Sequence, residues 1–213
     1  MNALAFPSES NSQIKNSNKK LFEKYENLLH NFACDKDITR ALNCDMNKII
    51  KYSELNKFSC FADLLPSEQD FIVLLIEQKE NSGHWVCIVR ENEKIYLFDS
   101  YGSSLDRELG FVAKSMRILL GEDKRFVERM INCNCDKCRD FNIIENVSKF
   151  QSLKNDIATC GRWCILFIEM MHKMKYDLNQ FASFVYTSSE NLEKPTDILV
   201  CDWVPIVADL GDV

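Results

Sequence analysis

Residues Gln151–Met171 read QSLKNDIATCGRWCILFIEMM. Polar residues run up to Thr159, and from Trp163 to Ile168, with Met170 and Met171, the segment is apolar on nearly every side. A helix with that pattern belongs in the middle of a core rather than on a surface. Thr159 is a residue type that caps helix starts, so Cys160 is expected to open a buried central helix. The free N–H groups and positive dipole end of a helix favour an anion, and a thiolate is one. The dipole contributes only ~0.3–1 kcal/mol, up to ~2 in a partly buried site, so a reactive Cys160 also needs a base. Gly161 is expected to leave room for a second backbone to approach, as a peptide substrate would.

The chain has three histidines. His172 lies on the same helix, ~18 Å from Cys160 at the helical rise, and cannot serve it. His30 sits beside Leu28 and Leu29 on a first amphipathic helix expected over Asn18–Phe32. His84 remains. It opens the second of three strand-like runs, FIVLLIEQ, HWVCIVR and KIYLFDS, which form a β-meander starting at Phe71. A two-residue turn at Glu91-Asn92 would set Arg90 opposite Glu93, Ile88 opposite Ile95, Val86 opposite Leu97 and His84 opposite Asp99. A four-residue loop would move the pairing one diagonal step and keep His84 and Asp99 on one face, whereas an odd loop would part them. A carboxylate there would fix the imidazole tautomer and stabilise the imidazolium. Each residue alone reads as ordinary structure, a polar strand end, a turn carboxylate and a buried thiol; the combination points to chemistry.

With 213 residues, 46% of them hydrophobic, the chain is long enough for a real core. The expected division is a flexible segment 1–18 and one domain, 19–213. The N-terminal twenty residues lack the pattern of a signal peptide, and no run reaches membrane-spanning length, so a soluble protein with no membrane partner is expected. Ten cysteines in such a chain are expected to be mostly reduced. The net charge of −6, with scattered lysines and arginines, does not indicate nucleic acid.

Residues 34–70 mix short apolar groups with turn formers and are the least readable part. After the meander, Ser103 or Ser104 caps an expected helix carrying Leu105, Leu109, Val112, Met116 and Leu119 and ending at Gly121. A short helix over Phe126–Ile131, the Cys160 helix, a helix capped by Asp177, and one from Pro195 to Leu210 follow. The expected fold class is α+β: a small central mixed sheet containing the meander, packed against the buried helix that starts at Cys160. Cys133, Cys135 and Cys138 stand in six residues, but a tetrahedral metal site needs a fourth ligand and no histidine is near. Cys34, Cys44, Cys60 or Cys201 are the candidates to complete it; the expectation is no metal and no cofactor. Trp85 reads either as the wall of a narrow substrate channel or as a core residue whose N–H finds a carbonyl. Trp163 and Cys164 are assigned to the core, and Cys87 to the strand face opposite His84.

Gly83-His84-Trp85, Asp99-Ser100-Tyr101-Gly102, Gln151 and Thr159-Cys160-Gly161-Arg162-Trp163, in this order, resemble the adenovirus-type (adenain-like) maturation proteases and their SUMO-deconjugating relatives. More narrowly they resemble the maturation proteases of virophages, polinton-like elements and large DNA viruses. The resemblance spans roughly Phe71 to Met171. It implies that Cys160 is the nucleophile, His84 the general base and then acid, Asp99 the orienting carboxylate, and Gln151 the donor to the oxyanion beside the Cys160 N–H. Relatives place the glutamine six or seven residues before the cysteine; here the gap is nine, which leaves Asn155 and Asn142 as competing donors. The implied function is a cysteine endopeptidase that cleaves viral capsid precursor polypeptides, at small residues, in the virion or the host cytoplasmic factory, as a monomer. An activating peptide joined by a mixed disulfide to the cysteine-rich loop is compatible with the resemblance. The alternatives are a deconjugase for a ubiquitin-like protein and a catalytically silent binding or structural relative.

Overall fold

In the computed structural model, residues 23, 25–154 and 157–206 are described. The expected flexible segment 1–18, the start of the first helix, Asn155 and the last seven residues lie outside them. Of the first helix, α1 (Glu26–His30) is described, with Leu29 buried, and α2 (Asp35–Leu42) follows it.

The three apolar runs are the centre of a five-stranded mixed sheet in the order β1-β2-β3-β4-β5. β2 (Gln69–Lys79), β3 (Ser82–Glu91) and β4 (Lys94–Phe98) pair antiparallel as the expected meander. Two short strands join its edges in parallel, β1 (Ile49–Lys51) on β2 and β5 (Asn142–Glu145) on β4. Neither carries a long apolar run, so neither is visible as a strand in the sequence.

Both faces of the sheet are covered, which is why the central strands read as nearly continuous apolar runs. Val73, Leu75, Trp85, Cys87, Val89, Tyr96 and Phe98 face a core filled by α7 (Cys160–Met174) and α8 (Leu178–Asn191). Leu74, Ile76, Val86, Ile88, Ile95 and Leu97 face a second core with Tyr52, Leu55, Phe61 and Phe126. Stacked rings anchor the first core, with Phe98 and Phe167 centroids 4.2 Å apart. Trp163 and Cys164 are fully buried, as expected. The fold is α+β.

The hairpin turn differs from the expected one. Glu91 pairs with Lys94, so the two-residue turn is Asn92-Glu93. Asn92 takes φ +55°, a left-handed conformation that asparagine tolerates better than Glu91 would. The expected single helix over 105–119 is also broken. It is α4 (Leu105–Glu108), a 3-10 turn at Leu109–Phe111 and α5 (Lys114–Leu120). Val112 is extended, at φ −103° and ψ 131°, so Met116 and Leu119 rotate away from the core stripe. Gly110 and β-branched Val112, both weak helix formers, stand at this break. α6 (Phe126–Ile131) has the expected bounds, and Asp177 caps α8 by accepting from Gln180 N at 2.9 Å. The last described helix, α9 (Thr196–Trp203), ends before Pro205, and residues 207–210 of the expected helix lie outside the described residues.

Candidate active site

β3 can carry His84 to the site because Gly83 precedes it. A Cβ at Gly83 would lie 1.9 Å from the Ile76 carbonyl oxygen, so only glycine lets β3 run this close to β2. His84 is buried, with Nε2 2.7 Å from Asp99 Oδ1. The pairing Arg90↔Ile95 and Ile88↔Leu97 is one diagonal step from the register expected for a turn at Glu91-Asn92. A shift of two residues preserves the face, so His84 and Asp99 still meet.

The residues after β4 wrap the Asp99 carboxylate. Oδ1 also accepts from Tyr101 N at 3.0 Å and Oδ2 from Ser103 N at 3.3 Å. The Tyr101 ring lies flat on the imidazole, centroids 4.5 Å apart and 15° from parallel. Cys160 is buried at the start of α7, and Trp85 N donates to its Sγ at 3.5 Å. Burial disfavours a charged His84, but its hydrogen bonds to Asp99 and Cys160, with their charges, outweigh this and raise it to about 10. Nε2 is held by Asp99, which leaves Nδ1 for the thiol.

Gln151 enters the same cleft by a route the linear spacing does not show. Ser100 O accepts from both Phe150 N (2.9 Å) and Gln151 N (3.0 Å), and Asn146 Nδ2 donates to Asp99 O at 2.6 Å. The loop after β5 is thus docked on the turn that holds Asp99. Ser100 Oγ donates to Gln151 Oε1 at 2.8 Å, which fixes the amide with Nε2 toward Ile157 O (2.9 Å) and Tyr101 Oη (3.3 Å). Asn142, the competing donor, pairs with Lys94 at the far end of β4. His84, Trp85, Tyr101, Gln151 and Cys160 line one cleft of about 670 Å³.

Two expectations need correction. Thr159 stands at the N-cap position, yet its hydroxyl donates to Asp197 Oδ1 at 2.6 Å and caps no helix N–H. Asp197 Oδ2 also accepts from Ser152 N at 2.9 Å, so α9 ties down both ends of the loop between Gln151 and Cys160. The space left by Gly161 is taken by the chain itself: a Cβ there would lie 2.8 Å from Ala33 Cβ and 3.2 Å from Trp85 Cδ1. Trp85 meets its reading as a buried residue whose N–H finds a carbonyl, with Nε1 donating to Ala33 O at 2.9 Å, and it also lines the cleft.

No protein-family model matches the chain. Over 139 residues it is 32% identical to uncharacterized protein V9 of Sputnik virophage, an alignment that covers 65% of this chain and 74% of that protein. The chain belongs to the V9 family. As a V9-family member it is a viral protein, and no helix among its described residues is long and apolar enough to cross a membrane.

The V9-family site has a member that the sequence did not reveal. Glu108, on α4, is buried, and its carboxyl lies within 4.8 Å of the His84 and Asp99 polar atoms. Burial first, then the charge of Asp99, pushes it up to about 7 against the opposing effect of His84. His84, Asp99 and Glu108 have the spacing of a ligand set, but Asp99 already accepts three hydrogen bonds, and the cluster reads as a chain of carboxyl groups behind the imidazole. Only a glutamate after a turn marks Glu108 in the sequence, and such residues are usually solvated. Elsewhere the four sulfurs of Cys60, Cys133, Cys135 and Cys138 all lie within 4.8 Å of one another. The fourth thiol missing from the cysteine-rich loop is therefore Cys60. His30 is exposed and His172 faces Glu91 at 3.4 Å, both apart from this chemistry.

Proposed function

We propose that this V9-family protein is a cysteine endopeptidase of the adenovirus-type and SUMO-deconjugating lineage, acting on viral structural precursor proteins during virion maturation. The reading rests on the buried His84–Asp99 pair beside the Cys160 thiol at a helix start, with the Gln151 amide in the same cleft. The fixed order His, Asp, Gln, Cys supports it.

In the reaction, His84 already carries the proton that came from the Cys160 thiol, Sγ attacks the scissile carbonyl, and His84 gives that proton to the leaving amine. Asp99, held by Tyr101 N and Ser103 N, keeps the imidazole oriented and balances its charge. The developing oxyanion takes the N–H of Cys160 and one Nε2 hydrogen of Gln151, in place of the long contact to Tyr101 Oη. Water then hydrolyses the thioester with His84 as base. Trp85 narrows the cleft beside the base and favours small residues such as Gly or Ala at the scissile bond. The protein acts in the virion or in the host cytoplasmic factory.

The test is digestion of co-expressed virophage capsid precursors, with cleavage sites read by mass spectrometry. Specific cuts are expected from the wild type and none from Cys160→Ala. Gln151→Ala is expected to lose ~10²–10³ in kcat. A ubiquitin-like protein with an extension after Gly-Gly is expected to remain intact. If the precursors also remain intact while Cys160 alkylates normally, the peptidase reading fails.

A further inference from the structure

The cysteine-rich loop and Cys60 come from parts of the chain more than seventy residues apart, yet their thiols converge. Cys60 directly precedes α3 (Phe61–Leu64), and the loop runs between α6 and β5. Cys135 and Cys60 Sγ are 3.4 Å apart, and all four sulfurs lie within 4.8 Å of one another. A tetrahedron with Zn–S bonds of about 2.3 Å has an S···S edge of about 3.8 Å, so sulfurs this close together are within reach of one ion. A multi-iron cluster would need them farther apart.

We infer that Cys60, Cys133, Cys135 and Cys138 bind one structural zinc ion as a tetrathiolate. The chemistry of the surroundings fits. Cys135-x-x-Cys138 is a tight turn, closed by Cys138 N donating to Cys135 O at 3.0 Å. Backbone N–H groups of Asp63 and Ala62 face Cys60, that of Ala62 faces Cys138, and those of Lys137 and Cys138 face Cys135. Such donors offset the charge that four thiolates place on one ion. The Lys137–Asp63 ion pair, at 3.0 Å, closes the same junction from outside. All four positions are filled by protein sulfur, which makes the site structural and leaves no open position for a reacting water.

The site has a mechanical role. The backbone hydrogen bonds of residues 133–141 stay local, as from Cys138 N to Cys135 O and from Phe141 N to Cys138 O, and this segment leads directly into β5, whose loop carries Asn146 and Gln151. The zinc pins that segment to α3 and fixes where β5 begins. The inference does not depend on the peptidase reading, because its readout is metal.

The test uses the full chain, produced with zinc and purified under reducing conditions without chelator. Elemental analysis is expected to give about one zinc per chain, and cobalt substitution to give the intense visible bands of a tetrahedral tetrathiolate. Cys135→Ser is expected to lose at least about tenfold in zinc occupancy, while Cys44→Ser keeps it. Because a folding defect would also strip the variant, the wild-type metal count and cobalt spectrum stand independently of it. The inference is overturned if wild type holds no zinc after reduction and zinc dialysis, if a Cys60–Cys135 disulfide or iron is found instead, or if Cys135→Ser keeps its zinc.

Discussion

His84 is held between opposing effects, and the balance has a sign that can be measured. Its folded value of about 10 lies above the ordinary 6.5, so the pairing stabilises the fold fully below about pH 6.5 and that contribution fades as pH rises toward 10. Asp99→Asn should lower stability at pH 6 and flatten its pH dependence over this window, measured by urea denaturation. His84→Ala should slow alkylation of Cys160 by limiting iodoacetamide at pH 7; an unchanged rate would separate His84 from the thiol. Cys164 is an internal control, since burial first and then Cys87 raise its thiol well above the ordinary value, so it should stay unmodified. Glu108 has a pH dependence of the same sign but the opposite cause, because here the charged form is penalised rather than favoured. With its folded value raised to about 7, stability declines from about pH 4.5 to 7 and the penalty stays above that. Glu108→Gln keeps the shape without the charge and should be about 1–2 kcal/mol more stable than wild type at pH 8. Equal stabilities there would show that Glu108 ionises freely.

At the scale of elements, the approach of the segment after α1 to α7 decides the shape of the cleft. Ala33 occupies the notch at Gly161, and its carbonyl holds Trp85 in place. Gly161→Ala would push a methyl into Ala33 and the Trp85 ring, with an expected cost of about 1–3 kcal/mol in chemical denaturation. If the space belonged to an incoming substrate instead, the variant would be as stable as wild type and only KM would rise. The periodic elements were legible where one pattern dominated: the meander, the Cys160 helix, α6 and the Asp177 cap. The broken helix at α4 and α5 was not, because its apolar spacing fits a continuous helix and the extended backbone at Val112 leaves no mark on that spacing. β1 and β5 were missed because short edge strands carry little pattern of their own.

At the scale of the whole molecule, Arg162 links regions distant in sequence. It is fully buried, with Nη1 donating to Val204 O at 2.7 Å and Nη2 reaching Leu28 O and Asn31 O at 3.4 and 3.5 Å. The helix that begins with the candidate nucleophile is thus clamped to α1 and to the end of α9. Arg162→Met strands buried carbonyls and should cost at least about 2 kcal/mol, with faster proteolysis near residues 28–31 and 204. Uniform loss of stability without those new cleavage sites would argue against a clamp.

The sequence by itself determined the α+β class, the buried helix opened by Cys160, and the choice of His84 and Asp99. Apolar periodicity and strand parity are local properties, and parity survived a turn placed one residue too early. Only the tertiary structure decided that Gln151 reaches the cleft across a nine-residue gap, that Asp197 takes the Thr159 hydroxyl, that Ala33 fills the Gly161 notch, and that Cys60 joins the cysteine-rich loop. Each of these depends on contacts between segments far apart in the chain, and a pattern within one segment carries no information about which distant segment will pack against it.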